Sequence, residues 1–147
     1  MAGLVRLIRA PRLADAPYAY AASLPASAQL LFLAGACPLD ENGFVVAPGD
    51  FAAQAGQCFD NLVEALSAAG ATVTDVASTR VLVASANRAD LGTAWDVIHE
   101  RFGEHDVPST LIGVAALGYE GQLVELEATA GIIAAADDES ARGIRLR

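Results

Sequence analysis

Two glutamates, Glu125 and Glu127, stand two residues apart in the string Leu123-Val124-Glu125-Leu126-Glu127-Ala128. In a strand, side chains alternate, so both carboxylates share one face with Leu123 and Thr129. Carboxylates so placed can orient a water or shift each other's proton affinity, which is the chemistry of general acid–base hydrolysis. On spacing alone, a solvated outer face is the simpler reading. Tyr18 and Tyr20 share a face of an irregular segment after Pro17, where a phenol can hydrogen-bond a ligand or pack with its tip wet. Gly35 ends an apolar run, where backbone comes close to a ligand or to another strand. Cys37, before Pro38, reads as a small buried hydrophobe rather than a reactive thiol, and Cys58 reads as core. His99 reads as a helix-surface histidine and Asp96 as solvated. Arg80, inside an apolar string, needs a carboxylate partner, an exposed face or an anionic ligand.

Composition removes several classes of chemistry. All the basic residues are arginines, which excludes lysine Schiff-base chemistry, a lysine-held pyridoxal phosphate and the P-loop. Two cysteines at this spacing fit neither a zinc or redox motif nor a disulfide framework. His99 and His105 have no partner ligand close in sequence, so a metal site is not expected. The net charge of −9 disfavours a phosphate backbone as partner, and Arg6, Arg9 and Arg12 form no basic block. No apolar run reaches membrane-spanning length, and the first ten residues lack the features of a signal peptide. The expectation is a cytoplasmic protein that handles a small molecule, with no nucleic acid and no membrane as partner.

These residues need elements to hold them. The 147 residues suit one domain, expected over 1–134, followed by a charged tail over 135–147. Strands are expected at 4–8, 30–35 and 44–46, the last after the tight-turn signal Asn42-Gly43. Asp50 is expected to cap a first helix whose stripe is Phe51, Ala55, Cys58, Leu62, Ala65, Leu66 and Ala69, closed by Gly70. A strand over 76–83 follows. A second helix is capped by Asn87 and has the stripe Leu91, Trp95, Ile98 and Phe102. Strands over 110–117 and 123–133 close the domain. This order predicts an α+β fold: one mixed sheet of about six strands with two helices on one face. The other sheet face also needs cover, because a strand such as 110–117 is apolar on both sides, so a homo-oligomer is expected.

Taken in order, several strings resemble the Rid family of reactive-intermediate deaminases, also called the YjgF family. They are Ala16-Pro17-Tyr18, Leu31-Phe32-Leu33-Ala34-Gly35 with Pro38-Leu39-Asp40, and Gly49-Asp50-Phe51-Ala52-Ala53-Gln54. After these come Asn61-Leu62, Ala68-Ala69-Gly70-Ala71 with Asp75-Val76, Val114-Ala115-Ala116-Leu117 and Val124-Glu125-Leu126-Glu127-Ala128. The likeness runs from about Val5 to Ala130. It implies a YjgF/chorismate-mutase-like homotrimer with sheets at the centre, helices outside and ligand clefts between subunits. It also implies cofactor-independent hydrolysis of 2-imino acids to 2-oxo acids and ammonia, as metabolite damage control. By resemblance Glu125 is the catalytic glutamate that positions or activates water. Tyr18, Gly35, Ser109 and Leu111 line the substrate site, Leu111 in a place often held by a cysteine that acts through its backbone carbonyl.

The chain departs from the family pattern at the carboxylate clamp. Deaminase-type members carry an arginine just before this strand, whereas here the string is Val107-Pro108-Ser109-Thr110, with serine in that place. Losing a charged clamp costs about 2–5 kcal/mol if nothing replaces it, and Arg80 or an arginine of a neighbouring subunit is the available substitute. An asparagine usual on the second helix is Asp96 here, and an extra residue falls near Gly118 to Gly121. The leading expectation is therefore an imine or enamine deaminase with altered substrate choice. The alternatives are a non-catalytic small-molecule-binding or regulatory trimer and, disfavoured by charge, a ribonuclease or translation inhibitor.

Overall fold

The computed structural model describes residues 3–134, and the expected tail over 135–147 lies outside the described residues. Six strands and two helices follow in the order β1 (Arg6–Ile8), β2 (Ala21–Ser23), β3 (Ala28–Phe32), α1 (Phe51–Ala68), β4 (Val76–Val83), α2 (Arg88–Phe102), β5 (Ser109–Gly113) and β6 (Val124–Ile133). A single 3-10 turn, Val73–Asp75, leads into β4. The strands divide between two ladders instead of forming the expected single sheet, and β2 was not among the expected strands. β3-β6-β4-β5 make a mixed four-stranded sheet in which only β4 and β5 run parallel, and β1 pairs with β2 alone. The three-residue strands β1 and β2 run antiparallel, from Arg6 opposite Ser23 to Ile8 opposite Ala21.

Each helix starts where its capping residue stands. Asp50 accepts a hydrogen bond from the backbone N–H of Ala53 at 2.9 Å, and Asn87 accepts one from Ala89 at 3.0 Å. Gly70, at φ +80°, takes the left-handed turn that ends α1. Both helices cover one face of the four-stranded sheet. Leu62 and Leu66 of α1 and Ile98 of α2 meet Val76, Val81, Val83, Val124 and Leu126 in a core from which solvent is excluded. Truncating Leu62 to alanine in such a core costs about 2–5 kcal/mol.

Three expectations shift at the edges. Ala65 and Ala69 are exposed, and Gln54 and Phe59 are buried in their stead. Phe59 turns inward because it packs edge-on against Phe102, ring centroids 5.0 Å apart, under the Arg101 guanidinium. The strand expected over 110–117 stops at Gly113: its partner β4 ends at Val83, whose carbonyl takes one last bond from Val114. Residues 44–46 contribute only an isolated bridge, Leu39 to Val45.

Register fixes which side chains share a face. Leu111, Val81 and Leu126 lie in one row across β5, β4 and β6, on the helix side. Arg80 and Glu127 form another row, on the opposite side, which Glu125 shares by alternation. That outer side also carries Leu30 and Phe32 of β3, with Phe32 78% exposed in the single chain.

Candidate active site

The two glutamates of β6 have different surroundings. Glu127 forms an ion pair with Arg80, Oε2 to Nε 2.8 Å, on the outer face of the sheet. This meets the need of Arg80 for a carboxylate and commits its charge there, so within one chain Arg80 is not the missing clamp. Glu125 is half-buried, and among the described residues no arginine or histidine lies within ion-pair distance of it. Neutral donors contact it instead. The Cys37 thiol donates to its Oε1 at 3.1 Å, and the Gln122 amide donates to the same oxygen at 3.3 Å.

Gly35 is part of this cluster for a steric reason. A Cβ on Gly35 would stand 2.6 Å from Glu125 Oε2. The backbone passes the carboxylate closely, and a side chain at this position would push the carboxylate aside. The loop is pinned from below by Asn61 of α1, whose amide donates to the carbonyls of Cys37 at 2.8 Å and Leu39 at 2.9 Å. The bridge between Ala36 and Leu126 ties it to β6. The Cys37 thiol is pushed up to about 11, by burial first and then by its bond to the Glu125 carboxylate. At neutral pH it is therefore a protonated donor, where the sequence suggested only a small hydrophobe. Cys58 is buried as expected, and burial raises its thiol too.

Tyr18, Ser109 and Leu111 come together elsewhere. With Pro17, Trp95 and Thr110 they line an open hollow of about 490 Å³ at the free edge of β5. Tyr18 stands edge-on to Trp95 at 6.2 Å, and Trp95 stacks on His99 at 5.6 Å. Arg9 secures the segment carrying Tyr18: its guanidinium donates to the carbonyls of Ala16 and Tyr18 and pairs with Asp106. His99 lies 3.7 Å from the same aspartate. Ser109 shares a hydrogen bond with Thr79, Oγ to Oγ1 2.7 Å. None of the residues lining the hollow is a cation.

The five residues singled out in the sequence thus form two clusters. Glu125 and Gly35 meet at one, Tyr18, Ser109 and Leu111 at the other, and β4 runs between β6 and β5. The clusters also face opposite sides of the sheet. Sequence reasoning missed Cys37, Gln122 and Trp95 as site residues. Trp95 was read as core stripe, yet its half-exposed ring forms a wall of the hollow. Gln122 gave no signal, since its role arises from a loop that folds back on β6. Among the described residues no three His, Cys, Asp or Glu side chains group as metal ligands would, and no helix is long and apolar enough to cross a membrane.

Comparison with known proteins fits the fold. The family model described as endoribonuclease L-PSP matches residues 9–132. A 2-iminobutanoate/2-iminopropanoate deaminase of Bos taurus is 33% identical over 133 residues, covering 88% of this chain and 93% of that protein. The protein of the same name from Rattus norvegicus is 32% identical over 100 residues, covering 68% of this chain and 71% of its own length. A crystal structure of the Rid-family protein YyfB from Yersinia pestis, described as of unknown function, superposes with TM-score 0.77 at 31% identity over 88% of this chain and 99% of that one. The chain belongs to this family, that of the Rid or YjgF proteins.

Proposed function

We propose that the protein hydrolyses reactive imines or enamines, among them 2-imino acids, to carbonyl compounds and ammonia, with Glu125 as the catalytic carboxylate. The observation that carries this reading is the contrast on β6: Glu127 is neutralised by Arg80, whereas Glu125 is half-buried, held by neutral donors and unpaired with any cation among the described residues. Two relatives that match most of this chain's length are named as 2-iminobutanoate/2-iminopropanoate deaminases, which supports the same chemistry.

The step such a carboxylate performs is a proton relay. Starting from an iminium ion, the C–O bond forms as one water proton passes to Glu125 and the C=N π pair moves to nitrogen. Glu125 returns that proton to nitrogen, the C–N bond breaks with its electron pair leaving on ammonia, and the hydroxyl proton passes through Glu125 to that ammonia as the carbonyl forms. Iminium and water give carbonyl compound and ammonium. General-base help of this kind contributes about 10²–10⁴-fold.

The hollow at the β5 edge supplies the substrate-binding half, with Tyr18, Trp95 and Leu111 as walls and Ser109 where the family arginine would stand. A wall without a cation suits an imine whose side chain is apolar or aromatic better than one recognised through its carboxylate. Because the two halves lie on opposite sides of one chain's sheet, a complete cleft forms between subunits, in a homotrimer that also covers Leu30 and Phe32.

The test generates imines in situ with an amino-acid oxidase and follows their loss with wild-type protein and with Glu125→Gln. The expected result is accelerated loss, greatest for apolar and aromatic imines, that falls at least about a hundredfold in the variant. No acceleration with acidic, neutral or aromatic imines would leave a binding or regulatory trimer as the better reading.

A further inference from the structure

The contacts around Glu125 are lopsided. Oε1 receives two hydrogen bonds, from Cys37 and Gln122, while Oε2 points at the Gly35 backbone. The Gln122 amide has one tenable orientation. Its oxygen accepts the Tyr119 N–H at 3.1 Å, and its nitrogen donates to the Val124 carbonyl at 3.1 Å as well as to Glu125. Flipped, the amide would set oxygen against two acceptors and nitrogen against a donor. Gln122 is buried, so a free amide there is costly and its bonds are obligatory.

The thiol has a single hydrogen and two acceptors within reach, the Gly35 carbonyl at 3.6 Å and Glu125 Oε1 at 3.1 Å. The carboxylate is the closer of the two and the charged one, and therefore takes the bond. Asn61 holds the Cys37 backbone on α1, which makes the donor a fixed one.

We infer that Cys37 and Gln122 are positioning residues that clamp Oε1 of Glu125 and leave Oε2 as the oxygen that exchanges a proton with the attacking water. The inference rests on the hydrolase reading above. It assigns Cys37 a role as hydrogen-bond donor, with no part in bond making. The thiol stays protonated throughout turnover, and a hydroxyl in its place serves nearly as well.

Two measurements test the clamp, one of them without turnover. The infrared S–H stretching band of Cys37 is isolated as the difference between wild-type protein and Cys37→Ala. Donation to a carboxylate lowers and strengthens this band, and in Glu125→Gln it should move up toward that of a weakly bonded thiol. Steady-state kinetics on the best imine substrate then separate positioning from packing. Cys37→Ala should lower kcat about three- to tenfold with KM within about twofold, the loss of one oriented donor, and Cys37→Ser should recover most of it. A band indifferent to Glu125→Gln would overturn the contact. Equal kcat in wild type and Cys37→Ala, or a serine variant as slow as the alanine one, would overturn the positioning role. Wild-type protein that shows the band shift but turns over no imine would overturn the hydrolase reading and support the clamp as geometry alone.

Discussion

The hollow at the β5 edge and the cluster around Glu125 differ in how each is built. The hollow is made of rings and aliphatic chains on two elements, α2 and β5, with the Tyr18 segment held against them by Arg9 and Asp106. It is wide and open, and among its polar wall residues Ser109 is occupied with Thr79. The Glu125 cluster is narrow and polar. Its parts come from β6, from the loop after β3 and from the loop before β6, and each makes a directed hydrogen bond or fits by absence of a side chain. Shape recognition tolerates the first construction, while proton transfer demands the second, because a small misplacement of a catalytic group costs orders of magnitude.

Changes in the narrow cluster should therefore reduce turnover far more than changes in the hollow. Gly35→Ala is the sharpest. The new Cβ would fall 2.6 Å from Oε2, and the flexible carboxylate moves before the backbone does. Imine turnover should fall about a hundredfold while the melting temperature changes little; an active Gly35→Ala enzyme would remove the Glu125 cluster from the chemistry. In the hollow, Trp95→Ala should raise KM for aromatic imines about tenfold with kcat nearly kept. A fall in kcat without a change in KM would merge the two regions into one functional unit. Ser109→Arg should move preference toward carboxylate-bearing 2-imino acids by about tenfold through the restored charged contact, read as the ratio of kcat/KM between a 2-imino acid and a neutral imine.

Smaller effects belong to groups outside both regions or to extreme pH. Arg80→Gln breaks an ion pair that solvent screens in the single chain, so stability and turnover should both change little. The Cys37 thiol titrates near 11 in the folded chain against 9.0 for an ordinary cysteine. A raised value means that the folded state keeps a proton the unfolded chain has lost. Stability from this group is whole below about pH 9 and is lost as pH rises toward 11. Thermal melts of wild type and Cys37→Ser across that window should diverge slightly, the wild type losing more.

Much of the fold was legible in the chain. Asp50, Asn87 and Gly70 mark the helix ends through bonds and backbone angles that those residue types favour locally, and β4 reads directly from its run of valine and threonine. The period-two alternation of Val124 to Ala130 also put Glu125 and Glu127 on one face before any fold was known. Local periodicity needs only neighbours in sequence, and these features need nothing else.

Contacts between distant segments could not be read that way. The pairing of Arg80 with Glu127, 47 residues apart, separates a neutralised carboxylate from an available one. The approach of Gly35 and Cys37 to Glu125 does the same across 88 residues in the case of the thiol. Strand register and loop path set these distances, and both follow from how the helices seat on the sheet. Residue type and order thus established the helices, most of the strands and a candidate glutamate. Packing alone chose which glutamate is free, because the environment of a charge is a property of its neighbours in space.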